Sequence, residues 1–255
     1  MKKLIKYVII DILRNRIVLG YTIFLLVISL SVFNLEDNAA KGLLSLLNII
    51  LIVVPLLSII FSTIYVYNSS EFIELLVSQP IKRTTLLTSI YTGLTSSLLL
   101  AVLVGIGLPV LMYDRSDVGF ILLIASMLLT AVFVALAMLA SIITRDKAKG
   151  IGVSILMWFY FAIIFDGLVL FILFQFSDYP LEKLSIALTA FNPIDLTRIL
   201  VLLKMDISAM MGYTGAVFRE FFAGVTGYVF ICLVMLTWVV APIFLAVKKF
   251  SKKDL

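Results

Sequence analysis

Histidine is absent from the 255 residues, which removes imidazole metal sites, Ser-His-Asp triads and histidine proton relays. The single cysteine, Cys232, lies in an apolar run. No disulfide can therefore close within the chain, and no cysteine cluster can hold zinc. No Gly-x-x-x-x-Gly-Lys-Ser/Thr run occurs, so the chain cannot cradle nucleotide phosphates in the P-loop manner. If it uses ATP, a partner must supply the ATPase. Charge is scarce as well. Charged residues make up 14% of the chain and hydrophobic ones 63%, where soluble domains sit near ~25% and ~45–50%. With a mean hydropathy of +1.20, this is a polytopic membrane protein.

The net charge of +5 and pI near 9.2 do not point to nucleic acid, because the charges gather at the ends of apolar runs, as membrane orientation requires. Six apolar runs are each long enough to span a bilayer as a helix of ~20 residues: 17–33, 42–67, 86–112, 118–143, 150–176 and 225–247. The predicted fold is all-α, one transmembrane domain over residues 1–255. Residues 1–16 carry Lys2, Lys3, Lys6, Arg14 and Arg16 beside Leu4, Ile5, Val8, Ile9, Ile10 and Leu13. That pattern fits an amphipathic helix in the membrane interface. Residues 177–224 form a long segment on the side opposite the termini.

Six spans put both termini on one side. That side then holds fourteen basic residues against six, and five acidic residues against nine, so both termini are expected in the cytoplasm. A cleaved signal peptide is the competing reading of the first span. Its apolar run is long for that, and Asn38-Ala39-Ala40 is a poor cleavage site behind Glu36 and Asp37.

The cytoplasmic loop 69–84 is rich in helix signals. Ser69 or Ser70 can cap a helix whose first turn holds Glu71 and Glu74 near the positive dipole end. Phe72, Leu75, Leu76 and Gln79 are expected on one side, and Pro80 ends the helix. A short amphipathic helix of this kind is a docking shape. The competing reading is a connector resting on lipid.

In the outer segment, Asn192-Pro193-x-Asp195 reads as a helix start, with Asn192 as cap and Pro193 in the first turn. Asp195 and Arg198 are spaced to pair. Leu196, Ile199, Leu200 and Leu203 form an apolar stripe that Val201 and Leu202 widen. Such a helix either tucks against the spans or waits for a partner. Asp166 is the one acid well inside a span. A buried charge there needs a partner, which must come from another helix or subunit; protonation or a hydrogen bond to a polar neighbour is the simpler alternative. Met205, Met210 and Met211 are soft sulfur ligands of the kind that suits Cu(I), but methionine is more often adaptable packing. They are weak metal candidates.

The run Glu71-x-x-Glu74-Leu75-Leu76-x-x-x-Pro80-Ile81-x-Arg83, between spans two and three behind a basic amphipathic N-terminus, resembles the coupling-helix region of type-2 ABC exporter permeases. Phe165-Asp166-Gly167-Leu168-Val169-Leu170 and Phe191-Asn192-Pro193-Ile194-Asp195-Leu196-x-Arg198-Ile199-Leu200 look like the membrane subunits that serve maturation of nitrous oxide reductase. This resemblance implies a homodimer in the bacterial inner membrane, without a catalytic site of its own. Glu71, Phe72, Glu74, Leu75, Leu76, Pro80 and Arg83 would couple to a NosF-like cytoplasmic ATPase, which binds the ATP and Mg. Asn192, Pro193, Asp195, Arg198, Val201 and Leu202 would contact a NosD-like periplasmic accessory protein, in service of copper-site assembly. A generic type-2 exporter of lipid, peptide or drug remains the alternative. An intramembrane hydrolase or a scaffold without transport are further ones, the hydrolase disfavoured by Asp166 standing alone without histidine.

Overall fold

A computed structural model of the protein describes residues 2–36, 38–78, 82–144, 146–176, 182–205 and 225–251. The helices are α1 (Lys2–Arg14), α2 (Arg16–Leu35), α3 (Ala39–Asn68), α4 (Ser70–Val77), α5 (Arg83–Tyr113), α6 (Asp117–Ile143), α7 (Lys147–Gln175), α8 (Glu182–Ala190), α9 (Pro193–Lys204) and α10 (Val225–Ser251). Six of them, α2, α3, α5, α6, α7 and α10, are long and apolar enough to cross a membrane. No strand occurs among the described residues.

Several spans begin earlier than their apolar runs, for a local reason. A helix start leaves N–H groups without partners, and a polar side chain just ahead of it accepts one. Asn15 accepts from Ile17 N at 2.9 Å, Asn38 from Ala40 N at 3.0 Å, and Asp146 from Lys149 N at 2.8 Å. The second span therefore starts at Ala39 and the fifth at Lys147.

The fourth span, α6, is the centre of the bundle. Leu122, Ala125, Leu129, Val132, Ala135 and Ala140 are all buried, and α3, α5, α7, α9 and α10 pack around it. Its many small residues allow the neighbouring backbones to approach closely, which is how helices associate where lipid removes the usual hydrophobic drive. Two glycines on α5 show the same device. A Cβ at Gly93 would meet Val8 Cγ1 at 2.5 Å, and one at Gly105 would meet Leu25 Cβ at 2.5 Å. Thus α1 and α2 both cross α5 where it has no side chain. The crossing at Gly105 falls in a wide, i→i+5 turn of α5, Leu103–Gly107.

Helix α1 is accordingly more than an interfacial ornament. Val8 and Ile12 are buried in the core, and Asp11 accepts a hydrogen bond from Tyr65 OH at 3.0 Å. Lys6 and Arg14 are exposed, but the apolar face is divided between the bundle and its surroundings. Tyr7, Ile10 and Leu13 stay exposed.

The segment between α7 and α10 takes one of its two expected arrangements, tucked against the spans. Its described helices do not form a layer outside the bundle. Trp238, midway along α10, donates from Nε1 to Ala190 O at 3.0 Å, at the end of α8. Asn192 reaches Phe161, midway along α7. At its other end α9 meets the start of α6, where Lys204 Nζ lies 3.4 Å from Asp117 Oδ2. Helices α8 and α9 are therefore a re-entrant hairpin whose tip lies roughly 20 Å from the end of α7, at ~1.5 Å per residue.

Candidate functional site

Two polar constructions stand out, one at an end of the bundle and one within it. The first is α4. Ile73 is buried, Phe72, Leu76 and Val77 are half-buried, and Glu71, Glu74, Leu75 and Ser78 are exposed. Phe72 packs against Tyr7 of α1, the rings tilted and 5.3 Å apart. This corrects the expected apolar side. Leu75, 67% exposed, shares the outward face with the two glutamates, and Ile73 takes the inward position. The helical period allows either arc. The seat on α3 and α5 selects the one centred on Ile73. Ser69 makes no side-chain cap, because α3 runs into α4 with little break and Ser69 N bonds Tyr65 O. Arg83 turns inward, donating from Nη1 to Phe250 O at 3.3 Å, so a cation meets the carbonyl end of α10. Gln79 and Pro80 lie outside the described residues.

The second construction ties the hairpin tip to α7. Asn192 is fully buried. Its Oδ1 accepts from Ile194 N at 3.0 Å, capping α9, while Nδ2 donates to Phe161 O at 2.9 Å and to Asp195 Oδ2 at 3.0 Å. Pro193 occupies the first turn, where no N–H is needed. Phe161 belongs to a second wide turn, Tyr160–Ile164. Such turns often mark functional places, since they disturb the regular ladder and expose backbone groups to outside partners. Arg198 Nη1 then lies 3.1 Å from both Asp195 Oδ1 and Asp166 Oδ2. The partner that Asp166 requires thus comes from the hairpin.

Below the tip, Phe161 meets Trp238 edge-on at 5.3 Å and Phe133 at 6.3 Å. The network is therefore closed on its inner side by aromatic rings.

The stripe on α9 faces inward. Leu196, Ile199 and Leu200 are buried, and Val201 is 0% exposed, packed towards α6 and α10. Val201 was expected to face outward. It does not, because the hairpin is inserted among the spans and every side of α9 except that of Arg198 and Lys204 meets other helices. Leu202 and Met205 are half-buried against the same core. Met210 and Met211 lie outside the described residues. Ile73, Phe161 and Trp238 escaped the sequence reading. Only the tandem aromatic content of the fifth span hinted at Phe161.

Six spans, a seated surface helix after the second, and a re-entrant hairpin before the sixth accompany a match over residues 6–255 to the model of the ABC-2 family transporter proteins. The chain belongs to that family. It is a permease subunit of an ABC transporter, a membrane protein. Among its relatives, a probable ABC transporter permease protein NosY of Pseudomonas aeruginosa is 28% identical over 223 residues, covering 79% of this chain and 81% of the relative. A protein of the same description from Stutzerimonas stutzeri is 27% identical over 227 residues, covering 80% and 78%. The permease is thus similar to NosY proteins along most of its length.

Proposed function

We propose that this permease works as a homodimer in the bacterial inner membrane, with both termini cytoplasmic, and converts ATP hydrolysis by a separate NosF-like ATPase into motion of its spans. ATP and Mg belong to that ATPase. The observation that carries the reading is the division of α4. Its inner face is seated on the bundle and on α1, while Glu71, Glu74, Leu75 and Ser78 stand free. A rigidly backed face of two acids and one apolar side chain suits insertion into a groove. The excess of basic residues on the side of the termini supports the orientation.

On the opposite side we assign a NosD-like periplasmic partner, in service of the copper site of nitrous oxide reductase. The likeness to NosY proteins and the Asn192-Pro193-x-Asp195-x-x-Arg198 element support it. Since the stripe of α9 faces inward, the hairpin would act as a buried transmitting element, and docking would fall to the outer helix ends. Purification in mild detergent from the native host tests the whole: an ABC ATPase and a periplasmic protein should accompany the permease. Deletion should leave nitrous oxide reductase without its copper site. A fully metallated enzyme in the deletion strain would leave a generic exporter as the better reading.

A further inference from the structure

Helix α3 runs into α4 almost without a break. Ser69 N bonds Tyr65 O and Ile73 N bonds Ser69 O, each at 2.9 Å, so α4 moves with the last turn of α3. Three side chains of that turn leave it in different directions. Tyr65 reaches Asp11 of α1. Asn68 accepts from Lys147 Nζ at 2.7 Å. The Tyr67 hydroxyl meets Thr144 Oγ1 and lies 3.2 Å from Thr144 O and 3.4 Å from Ser141 O. Thr144 donates its own hydroxyl proton to Ala140 O at 2.7 Å, so Tyr67 is the donor in their contact. The last carbonyls of a helix lack partners within it. Tyr67 thus caps α6 from a neighbouring helix, where the chain turns into α7.

The Tyr67 ring is seated just as closely. Gly150 is buried, and a Cβ there would overlap the Tyr67 hydroxyl and ring, so the tyrosine lies against bare backbone of α7. One turn further along both helices, Thr63 Oγ1 and Ser154 Oγ, both fully buried, are 2.7 Å apart. Beyond them Trp158 Nε1 donates to Ile52 O at 3.1 Å. Helix α3 and the inner half of α7, Lys147–Phe159, are therefore held together up to the wide turn. There Asn192 of the hairpin takes hold of Phe161 O. Asn68 and Lys147 are 79 residues apart in the chain, so a push on α4 reaches α7 through these contacts. The Asn68 bond is exposed and competes with water, whereas the Tyr67 contacts are half-buried and stronger for it.

We propose that Tyr67 is the positioning residue that carries movement of α4 into the α6–α7 turn and the inner half of α7. The inference rests on the docking of an ATPase at α4 and names the contact by which its stroke leaves that helix. A load applied at Glu71 or Leu75 passes through Ser69 to Tyr67. From Tyr67 it reaches the carbonyl end of α6 and the bare backbone at Gly150. Removing the hydroxyl alone leaves the ring in its notch and α4 on its seat, so docking and transmission separate at this residue.

The test uses the full chain with its ATPase in liposomes. Cys232→Ser removes the only native thiol, and a fluorescent amino acid replaces Leu156, which is 66% exposed on the inner half of α7. In this background ATP should change the fluorescence. Tyr67→Phe should insert and bind the ATPase as before, yet the ATP-driven change should shrink by about threefold or more, the weight of a lost hydrogen bond. A second arm adds Asn68→Cys and Lys147→Cys to Tyr67→Phe, joined by a short bis-methanethiosulfonate before the ATPase is added. The linker should restore the change and reductant should abolish it again, which a merely local loss of stability would not show. If the change stays full in Tyr67→Phe, or shrinks without rescue by the linker, the proposal falls while docking at α4 stands. It also falls if the native chain binds the ATPase without any ATP-driven change, or if Tyr67→Phe loses the ATPase. If the ATPase never binds the native chain, docking at α4 is itself wrong.

Discussion

Asn192 ties three groups together at the hairpin tip. It caps α9, satisfies a carbonyl in the wide turn of α7, and touches Asp195. Asn192→Ala would leave Phe161 O without that donor and Ile194 N–H without its acceptor, a loss of about 1–3 kcal/mol. Asn192→Asp should keep the cap but lose both donated bonds. Thermal unfolding in detergent should rank native above Asp above Ala; equal midpoints for native and Ala would show that the network is not holding the hairpin.

Asp195 completes the same seat, its Oδ2 accepting from Asn192 Nδ2 at 3.0 Å and its Oδ1 from Arg198 Nη1 at 3.1 Å. An asparagine there has a single acceptor oxygen, so Asp195→Asn loses at least one of these bonds and should lower the unfolding midpoint in detergent, read also from the fluorescence of Trp238 in a Trp158→Phe background. An unchanged midpoint would remove Asp195 from the seat.

At the scale of elements, α4 separates two effects that a loop would mix. Glu74→Lys reverses a charge on the free face and Leu75→Ala removes its apolar anchor. Both should lower permease-stimulated ATP hydrolysis and leave insertion intact. Ile73→Ala acts on the seat instead. Removing a buried isoleucine costs about 2–5 kcal/mol where the site is well packed, so α4 should loosen and the chain should lose stability. Unchanged hydrolysis and assembly in the two outward variants would remove the docking role. The same logic recasts α9. Val201→Lys places an ammonium in a fully buried position and should prevent folding of the hairpin altogether, not merely detach a partner.

For the whole molecule, orientation is the accessible quantity. In a Cys232→Ser background, cysteines replacing Lys3 or Lys252 should resist impermeant thiol reagents in intact cells, and one replacing Glu182 should react. Labelling at either terminus would overturn the arrangement of charges on which the cytoplasmic assignment rests.

Composition and periodicity alone determined that this is a six-span helical membrane protein without histidine chemistry. Apolar run length and basic-residue placement are local quantities that report directly on bilayer thickness and interface. The cap at Asn192-Pro193 and the pairing of Asp195 with Arg198 were legible for the same reason, since both lie within one turn of helix. Which arc of α4 faces inward was not, because positions 72–77 carry apolar residues on either side and only the seat on α3 and α5 breaks the tie. The seat of Val201 and the partner of Asp166 were equally hidden. Both depend on a hairpin folding back among the spans, which brings Arg198 to Asp166 across 32 residues of chain. Hydropathy cannot distinguish an apolar helix outside the bundle from one inserted into it. Tertiary packing decided that, through a buried asparagine, two wide turns and the small-residue surface of α6.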